Sequence, residues 1–169
     1  MPKKNSVEGK DIDVLDLINK MLNAGWSIEI KNSAKMVRIR AVIDAEGHYV
    51  EGCALLIESA WTDLVKNIVA RIKKFKELES ELTVVDVCKG KVTERLGCAL
   101  ETGWSVTHRH VNTALWHCVI VINDTPYLGE GHTQLAAADI AFEKVYDEII
   151  DLQFKIHKLE AVCPFISKN

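Results

Sequence analysis

The sequence predicts an α+β protein built from two tandem α-β-β-β-α units, each a three-stranded antiparallel sheet with two helices packed on one face. Two observations support this prediction: the chain contains an internal repeat, and each copy passes from helical periodicity to strand periodicity and back. The composition is that of a folded chain, since 48% of its 169 residues are hydrophobic and 27% are charged.

The repeat appears when "VLDLINKMLNAGWSIEI" from Val14 is placed over "VTERLGCALETGWSVTH" from Val92. An offset of 78 residues pairs Trp26 with Trp104. Further on, an offset of 79 matches Gly52 with Gly131, which predicts one inserted residue in a hairpin loop of the second copy. The predicted organisation is a flexible N-terminus at 1–10, a first unit at 11–82, a linker at 83–90, a second unit at 91–160 and a tail at 161–169.

Within each copy, the apolar residues and the turn residues predict the order of elements. A stripe at i, i+3, i+4 spacing predicts a first helix, and the glycines of "NAG" and "ETG" are typical of its C-terminal cap. The β-branched segments that follow, among them "MVRIRAVI" and "LWHCVIVI", predict three strands. Ser59 or Thr133 is then placed to cap a second, longer helix.

The second helix of each copy carries a long apolar stripe. Its members are Leu64, Ile68, Ile72, Phe75 and Leu78 in the first copy, and Val145, Ile149, Leu152, Ile156 and Leu159 in the second. Both stripes are longer than a three-stranded sheet requires. We therefore expect the extra turns to pack on each other or on a second chain. With a second copy as that chain, the protein is a homodimer that pairs through these long helices.

The order of elements, with a Gly-ended third strand leading into the Ala-rich helix of "YLGEGHTQLAAADIAFEKV", resembles the double-stranded-RNA-binding domain. It is also similar to small α/β sandwich domains of phage proteins. The RNA-binding resemblance implies lysines at the start of the second helix and a Gly-Pro loop between the first two strands. This chain has "ESAWTDLVKN" and "HTQLAAADIA" at the helix starts, and "KNSAK" and "HVNTA" in the loops. The resemblance therefore implies the fold more than it implies RNA binding.

The charge distribution also disfavours nucleic acid. Residues 11–82 hold 10 Lys and Arg against 12 Asp and Glu, and residues 89–160 hold 7 against 10, so neither copy is basic. The candidates for a nucleic-acid surface are the basic residues of the first copy's strands and second helix: Arg38, Arg40, Arg71, Lys73, Lys74 and Lys76. They would meet only if the end of the helix approached the open sheet face; the alternative is a solvated helix face balanced by the neighbouring "ELESE".

The stretch "HRHVNTALWHC" holds three histidines and a cysteine. On a strand, His108 and His110 point to one side, and one extra loop residue would bring Cys118 to the same side. These side chains could bind zinc, with His132 as a fourth ligand. The alternative is a core face whose edge has become polar, because the first copy has apolar residues there. No metal and no cofactor is expected, and His108, His110 and Cys118 are the weak candidates.

The opposite strand face of the second copy is the predicted contact surface. Arg109, His117, Val119 and Val121 share it if the register is correct, whereas a one-residue slip would turn the valines inward. An open face with two valines suggests a partner. Trp61, near the start of the first long helix, is added to the predicted surface because the second copy has "LAAAD" in that region.

Sequence motifs of several common enzyme and nucleotide-binding classes are absent from the sequence. It lacks GxGxxG, GxxxxGK[ST], GxSxG and HExxH, so no enzyme is expected. Neither a secretory signal nor an apolar run of membrane-spanning length is seen, and the five cysteines are odd in number without a CxxC, so we expect a cytoplasmic protein with reduced thiols and no membrane partner. The interpretation that remains is a non-enzymatic protein-binding module, by analogy a phage or mobile-element accessory protein that acts on a host protein.

Overall fold

The structure is a computed structural model that describes residues 6–7, 10–87 and 89–163. The chain is α+β, with two three-stranded antiparallel sheets and four helices arranged in two successive helix-sheet units, which confirms the predicted fold class. The predicted flexible N-terminus and C-terminal tail lie partly outside the described residues; residues 6–7 and 10–11 pair as strands β1 (Ser6–Val7) and β2 (Lys10–Asp11).

The elements follow the predicted order. In the first copy they are α1 (Val14–Asn23), β3 (Ser27–Ser33), β4 (Met36–Val42), β5 (Tyr49–Ala54) and α2 (Ile57–Leu82). In the second they are α3 (Val92–Thr102), β6 (Ser105–Asn112), β7 (Leu115–Ile122), β8 (Thr125–Gly131) and α4 (Gln134–Glu160). The sheet orders are β3-β4-β5 and β6-β7-β8, so the middle strand of the sequence is also the middle strand of each sheet.

The helix ends show which cap residues the sequence identified correctly. Gly25 and Gly103 adopt φ of 80° and 91° after the first helices, as the Gly stops predicted. Thr133 caps α4, since its Oγ1 accepts a hydrogen bond from the Ala136 N–H at 3.1 Å. The corresponding prediction for Ser59 is wrong, because α2 begins at Ile57, two residues before it.

The long helix of each unit crosses its sheet over a glycine. A Cβ on Gly52 would lie 2.3 Å from the Ala60 carbonyl oxygen, and one on Gly129 would lie 1.9 Å from that of Ala137. Gly129 is therefore the structural counterpart of Gly52, and the predicted match with Gly131 is wrong. The inserted residue of the second copy is a bulge in β6 between His110 and Asn112, and the loop at 43–48 is replaced by the short turn Asn123–Asp124.

The chain forms two compact units whose limits fall inside the long helices. The first unit consists of residues 1–75 and 155–169, and the second of residues 76–154. The core of the first unit accordingly includes Leu159, Val162 and Cys163, all at most 1% exposed, beside Ile39, Leu64 and other residues of its sheet and helices. Burial raises the pKa of the Cys163 thiol to about 11. The C-terminal end of α4 therefore completes the core of the first unit.

Polar side chains of α2 cover the outer edge of β5. Asp63 accepts a hydrogen bond from the Cys53 N–H at 2.8 Å, Asn67 donates to the Glu51 carbonyl at 2.8 Å, and Arg71 donates to the Tyr49 carbonyl at 2.7 Å. Residues 63, 67 and 71 are spaced one helical turn apart, so they follow the strand as the helix passes it. These bonds occupy backbone groups that an edge strand otherwise leaves unpaired.

Candidate binding surface

The predicted contact face of the second unit exists in the register that the sequence suggested. Arg109, His117 and Glu130 form one cross-strand row, Thr107, Val119 and Leu128 the next, and Ser105, Val121 and Pro126 the third. The alternating residues Cys118, Ile120 and Ile122 are buried on the opposite face of β7, at 0%, 0% and 4% exposure. The one-residue slip is therefore excluded. We call the nine residues of these three cross-strand rows the open face of the second unit.

The middle of this open face is apolar and its first row is charged. Val119, Val121 and Leu128 are half-buried, on the sheet face opposite to the buried Cys118, Ile120 and Ile122. At the row next to them, His117 Nε2 lies 3.0 Å from Glu130 Oε1, and Arg109 is exposed. An apolar centre beside a polar margin is the usual anatomy of a protein-binding surface.

The matching face of the first unit is charged throughout its centre. Both Nε and Nη2 of Arg40 donate to Glu51 Oε2, at 3.2 and 3.1 Å, and Arg38 Nε lies 3.4 Å from Glu51 Oε1. The hydrogen bond to Glu51 raises the pKa of Arg40, and its guanidinium carbon lies 4.1 Å from the centre of the Tyr49 ring. This face has ion pairs where the second unit has valine and leucine.

Trp61 does not belong to the predicted contact surface. It is 4% exposed and lies in the core of the first unit with Leu64, Val65 and Ile68. The sequence carried the signal for this, because Trp61 precedes Leu64 by three residues and Ile68 by seven, so it extends the same helical stripe. Its absence from the second copy is a difference of core packing.

The three candidate metal ligands share the inner face of the second sheet but do not form a metal site. His108 is paired with Cys118 across the strands, while the His110 ring is packed against Trp116 with ring centres 4.5 Å apart. Burial raises the pKa of the Cys118 thiol, which disfavours the thiolate that zinc requires. His132 Nδ1 lies 2.9 Å from the Ala114 carbonyl oxygen. Within the described ranges, no three His, Cys, Asp or Glu residues are placed to hold a metal ion.

The candidate nucleic-acid residues are partly used inside the first unit. Arg38 and Arg40 flank Glu51, and Arg71 is bonded to the Tyr49 carbonyl at the edge of the same sheet. Lys73, Lys74 and Lys76 are exposed on α2 beyond Arg71. An acidic side chain thus lies between the two arginines that would have to meet phosphate.

Leu128 and Arg95 are two residues of interest that the sequence analysis does not predict. Leu128 completes the apolar centre of the open face, and the two-residue turn Asn123–Asp124 could have identified it, because that turn sets Val119 opposite Leu128. Arg95 occupies the α3 position that Leu17 has in α1; its Nη2 donates to Asp139 Oδ1 at 2.6 Å and its Nη1 to the Val87 carbonyl at 2.9 Å. The repeat alignment placed Arg95 under Leu17 and thereby contained this signal.

No protein-family model matches the chain, and no curated protein sequence matches it. Among the helices that the structure describes, none has an apolar stretch long enough to cross a bilayer.

Proposed function

We propose that the chain is a non-enzymatic protein-binding module and that the open face of the second unit is its contact surface. The observation that carries the proposal is the apolar centre of Val119, Val121 and Leu128 on the sheet face opposite to the buried Cys118, Ile120 and Ile122. At the positions of Val119 and Leu128 the first unit carries Arg40 and Glu51, so the fold itself does not require apolar residues at these two positions.

The chemistry of the face favours a protein over a nucleic acid. Arg109 is its only lysine or arginine, and it stands in one row with Glu130. Phosphate recognition depends on several unpaired cations, because affinity comes from neutralising the backbone. Burying the three aliphatic side chains against a partner would instead contribute roughly 1 kcal/mol each, since they are already half-buried.

The test uses the double variant Val119→Thr with Val121→Thr, which keeps β-branched side chains on the strand but replaces methyl groups with hydroxyls. Wild type and variant are immobilised, and the host proteins retained by each are compared by quantitative mass spectrometry. The matched control is Val42→Thr, because Val42 occupies the position of Val121 on the open face of the first unit.

We expect a retained protein that the double variant loses at least tenfold and the control keeps. The purified pair should then bind with a negative heat-capacity change in calorimetry, as burial of apolar surface requires. Equal retention by all three proteins would refute the proposed surface. Salt-sensitive binding of a labelled RNA duplex that the double variant leaves unchanged would support the nucleic-acid alternative instead.

A further inference from the structure

The entry to α2 exposes a cluster of apolar side chains at one end of the first unit. Leu55, Leu56 and Ile57 are 79%, 66% and 49% exposed, and Met36 is 45% exposed. Val37 pairs with Ala54, so Met36 and Leu55 are the next residues along the two neighbouring strands. We call these four residues the apolar tip.

The second unit shows that the fold does not require this tip. Taking Gly129 as the counterpart of Gly52, the positions of Leu55, Leu56 and Ile57 are occupied there by His132, Thr133 and Gln134. Thr133 caps α4 and His132 is bonded to the neighbouring hairpin turn. A leucine side chain at the cap position offers no acceptor, so the first unit exposes apolar surface where the second unit has a capping hydroxyl.

Cations of the β3–β4 hairpin lie beside Met36 of the apolar tip. Lys35 stands beside Met36 in the β3–β4 turn, and Lys31, Arg38 and Met36 line one shallow pocket of about 250 Å³. Both Lys31 and Lys35 are exposed, and neither forms an ion pair within the described part of the chain. The acidic side chain nearest in sequence to the tip leucines is Glu58. Packing two tips against each other would bring these like charges together, which disfavours a symmetric contact.

The second unit contains a groove with the complementary character. It has a volume of about 390 Å³ and lies between the connector at 83–87 and α4. Its apolar lining comprises Val85, Val87, Tyr146, Ile149 and Ile150. Tyr146 and Ile150 are 39% and 46% exposed, so their side chains remain available for contact.

The margin of this groove is acidic. Asp147 directly follows Tyr146, and Glu143 lies one helical turn before Asp147. Asp86 also lines the groove, with Lys89 Nζ 3.8 Å from its Oδ2. Between Val145 and Phe154 the helix carries three acidic residues and no lysine or arginine. We call this site the acidic groove, and its charge is opposite to that of the apolar tip.

We propose that the apolar tip of one copy binds in the acidic groove of a second copy. The contact joins two different surfaces, so each bound copy still presents a free tip and a free groove, and assembly can continue head to tail. Four side chains bury far less than the roughly 800 Å² per partner of a standard interface. The association is therefore weak and depends on protein concentration.

The experiment measures mass by light scattering with full-length protein from about 10 µM to about 1 mM, the range of weak association. The tip variant carries Leu55→Ser and Leu56→Ser, and the groove variant carries Tyr146→Ser and Ile150→Ser. The control is Leu22→Ser, an exposed leucine (55%) at the end of α1 that leads into the start of β3. Circular dichroism checks that each variant is folded.

We expect the mass of wild type and Leu22→Ser to rise above 18.9 kDa with concentration, and less so at high salt. Each of the tip and groove variants alone should remain monomeric. Their equimolar mixture should reach a dimer and no more, because only one intact tip and one intact groove can meet. The open-face variant Val119→Thr with Val121→Thr should associate like wild type, which separates this proposal from the proposed function.

Three outcomes would overturn the proposal. Wild type could stay monomeric over the whole range. Association could persist in both variants, which would place it on another surface. The tip variant alone could abolish association with no rescue on mixing, which would indicate a contact other than the acidic groove.

Discussion

In the second unit, Thr133 lies at the start of α4 and its hydroxyl caps the helix. In the first unit, Leu56 lies at the start of α2, and its side chain offers no hydrogen-bond acceptor. On the open faces the contrast is reversed: the first unit has Arg40 paired with Glu51, and the second has Val119 beside Leu128. At each of these two places one unit has apolar residues outside its core where its counterpart has polar residues with bonding partners. The two copies share a backbone plan but differ in where apolar side chains lie outside the core.

What the units share is the close crossing of helix and sheet. In both, alanine in the helix meets glycine in the third strand, and the backbone atoms approach too closely for any side chain between them. The shared part is therefore set by sterics, whereas the surface residues that differ are free to change without disturbing it.

The largest effect on stability is expected at two buried leucines of α4 that belong to different units. Leu159 and Leu152 lie two turns apart on α4 and are 1% and 2% exposed, but Leu159 belongs to the first unit and Leu152 to the second. Replacement of either by Ala should cost about 2–5 kcal/mol of unfolding free energy. Hydrogen exchange should then rise mainly in β3–β5 for Leu159→Ala and mainly in β6–β8 for Leu152→Ala. The same exchange pattern in both variants would contradict the division into two units.

A smaller effect tests the shared crossing. Gly129→Ala should lower the unfolding free energy by about 1–3 kcal/mol, because the new Cβ meets the backbone of α4. Gly97→Ala is the matched control, since a Cβ on Gly97 inside α3 would meet nothing within 4 Å beyond its own stretch of helix. This variant should gain about 0.5–1 kcal/mol of unfolding free energy. Both values follow from urea unfolding. Equal changes in the two variants would mean that the crossing is not close in solution.

The smallest effect concerns the loop at 43–48, which the second unit replaces by a tight turn. The His48 side chain, and more weakly its backbone N–H, hydrogen-bonds to Asp44 and lowers the pKa of this carboxyl below 3.8, although partial burial acts in the opposite direction. A lowered folded-state pKa stabilises the fold above pH 3.8, and the gain is lost as the pH falls through the folded value. Asp44→Asn should therefore melt below wild type at neutral pH, with the gap closing in acid. A gap of constant size would show that the charge of Asp44 is not involved.

The sequence was sufficient where local pattern decides the outcome. The order of elements, the Gly25 and Gly103 stops and the outward side of Val119 all follow from periodicity and turn chemistry. The errors arose where pattern competes with tertiary context. Ser59 is an acceptable cap by residue type, but α2 begins two residues earlier at Ile57, so Ser59 lies inside its first turn.

The candidate site was less predictable than the fold. Trp61 was assigned to the surface because its counterpart is missing, although its helical phase places it in the core. Gly131 was matched to Gly52 by counting along the chain, and a bulge together with a shorter turn moves the true counterpart to Gly129. Leu55 and Leu56 could not be recognised as exposed, since exposure at a helix entry depends on what packs over it.

The use of Leu159, Val162 and Cys163 in the first unit has a consequence for synthesis on the ribosome. Domains usually fold in the order in which they emerge, N-terminal first. Here the first 75 residues contain a full set of strands but lack part of their own core until Leu159, Val162 and Cys163 have left the exit tunnel. The N-terminal unit therefore reaches its final stability only after the C-terminal end of α4 and the residues just beyond it have been synthesised.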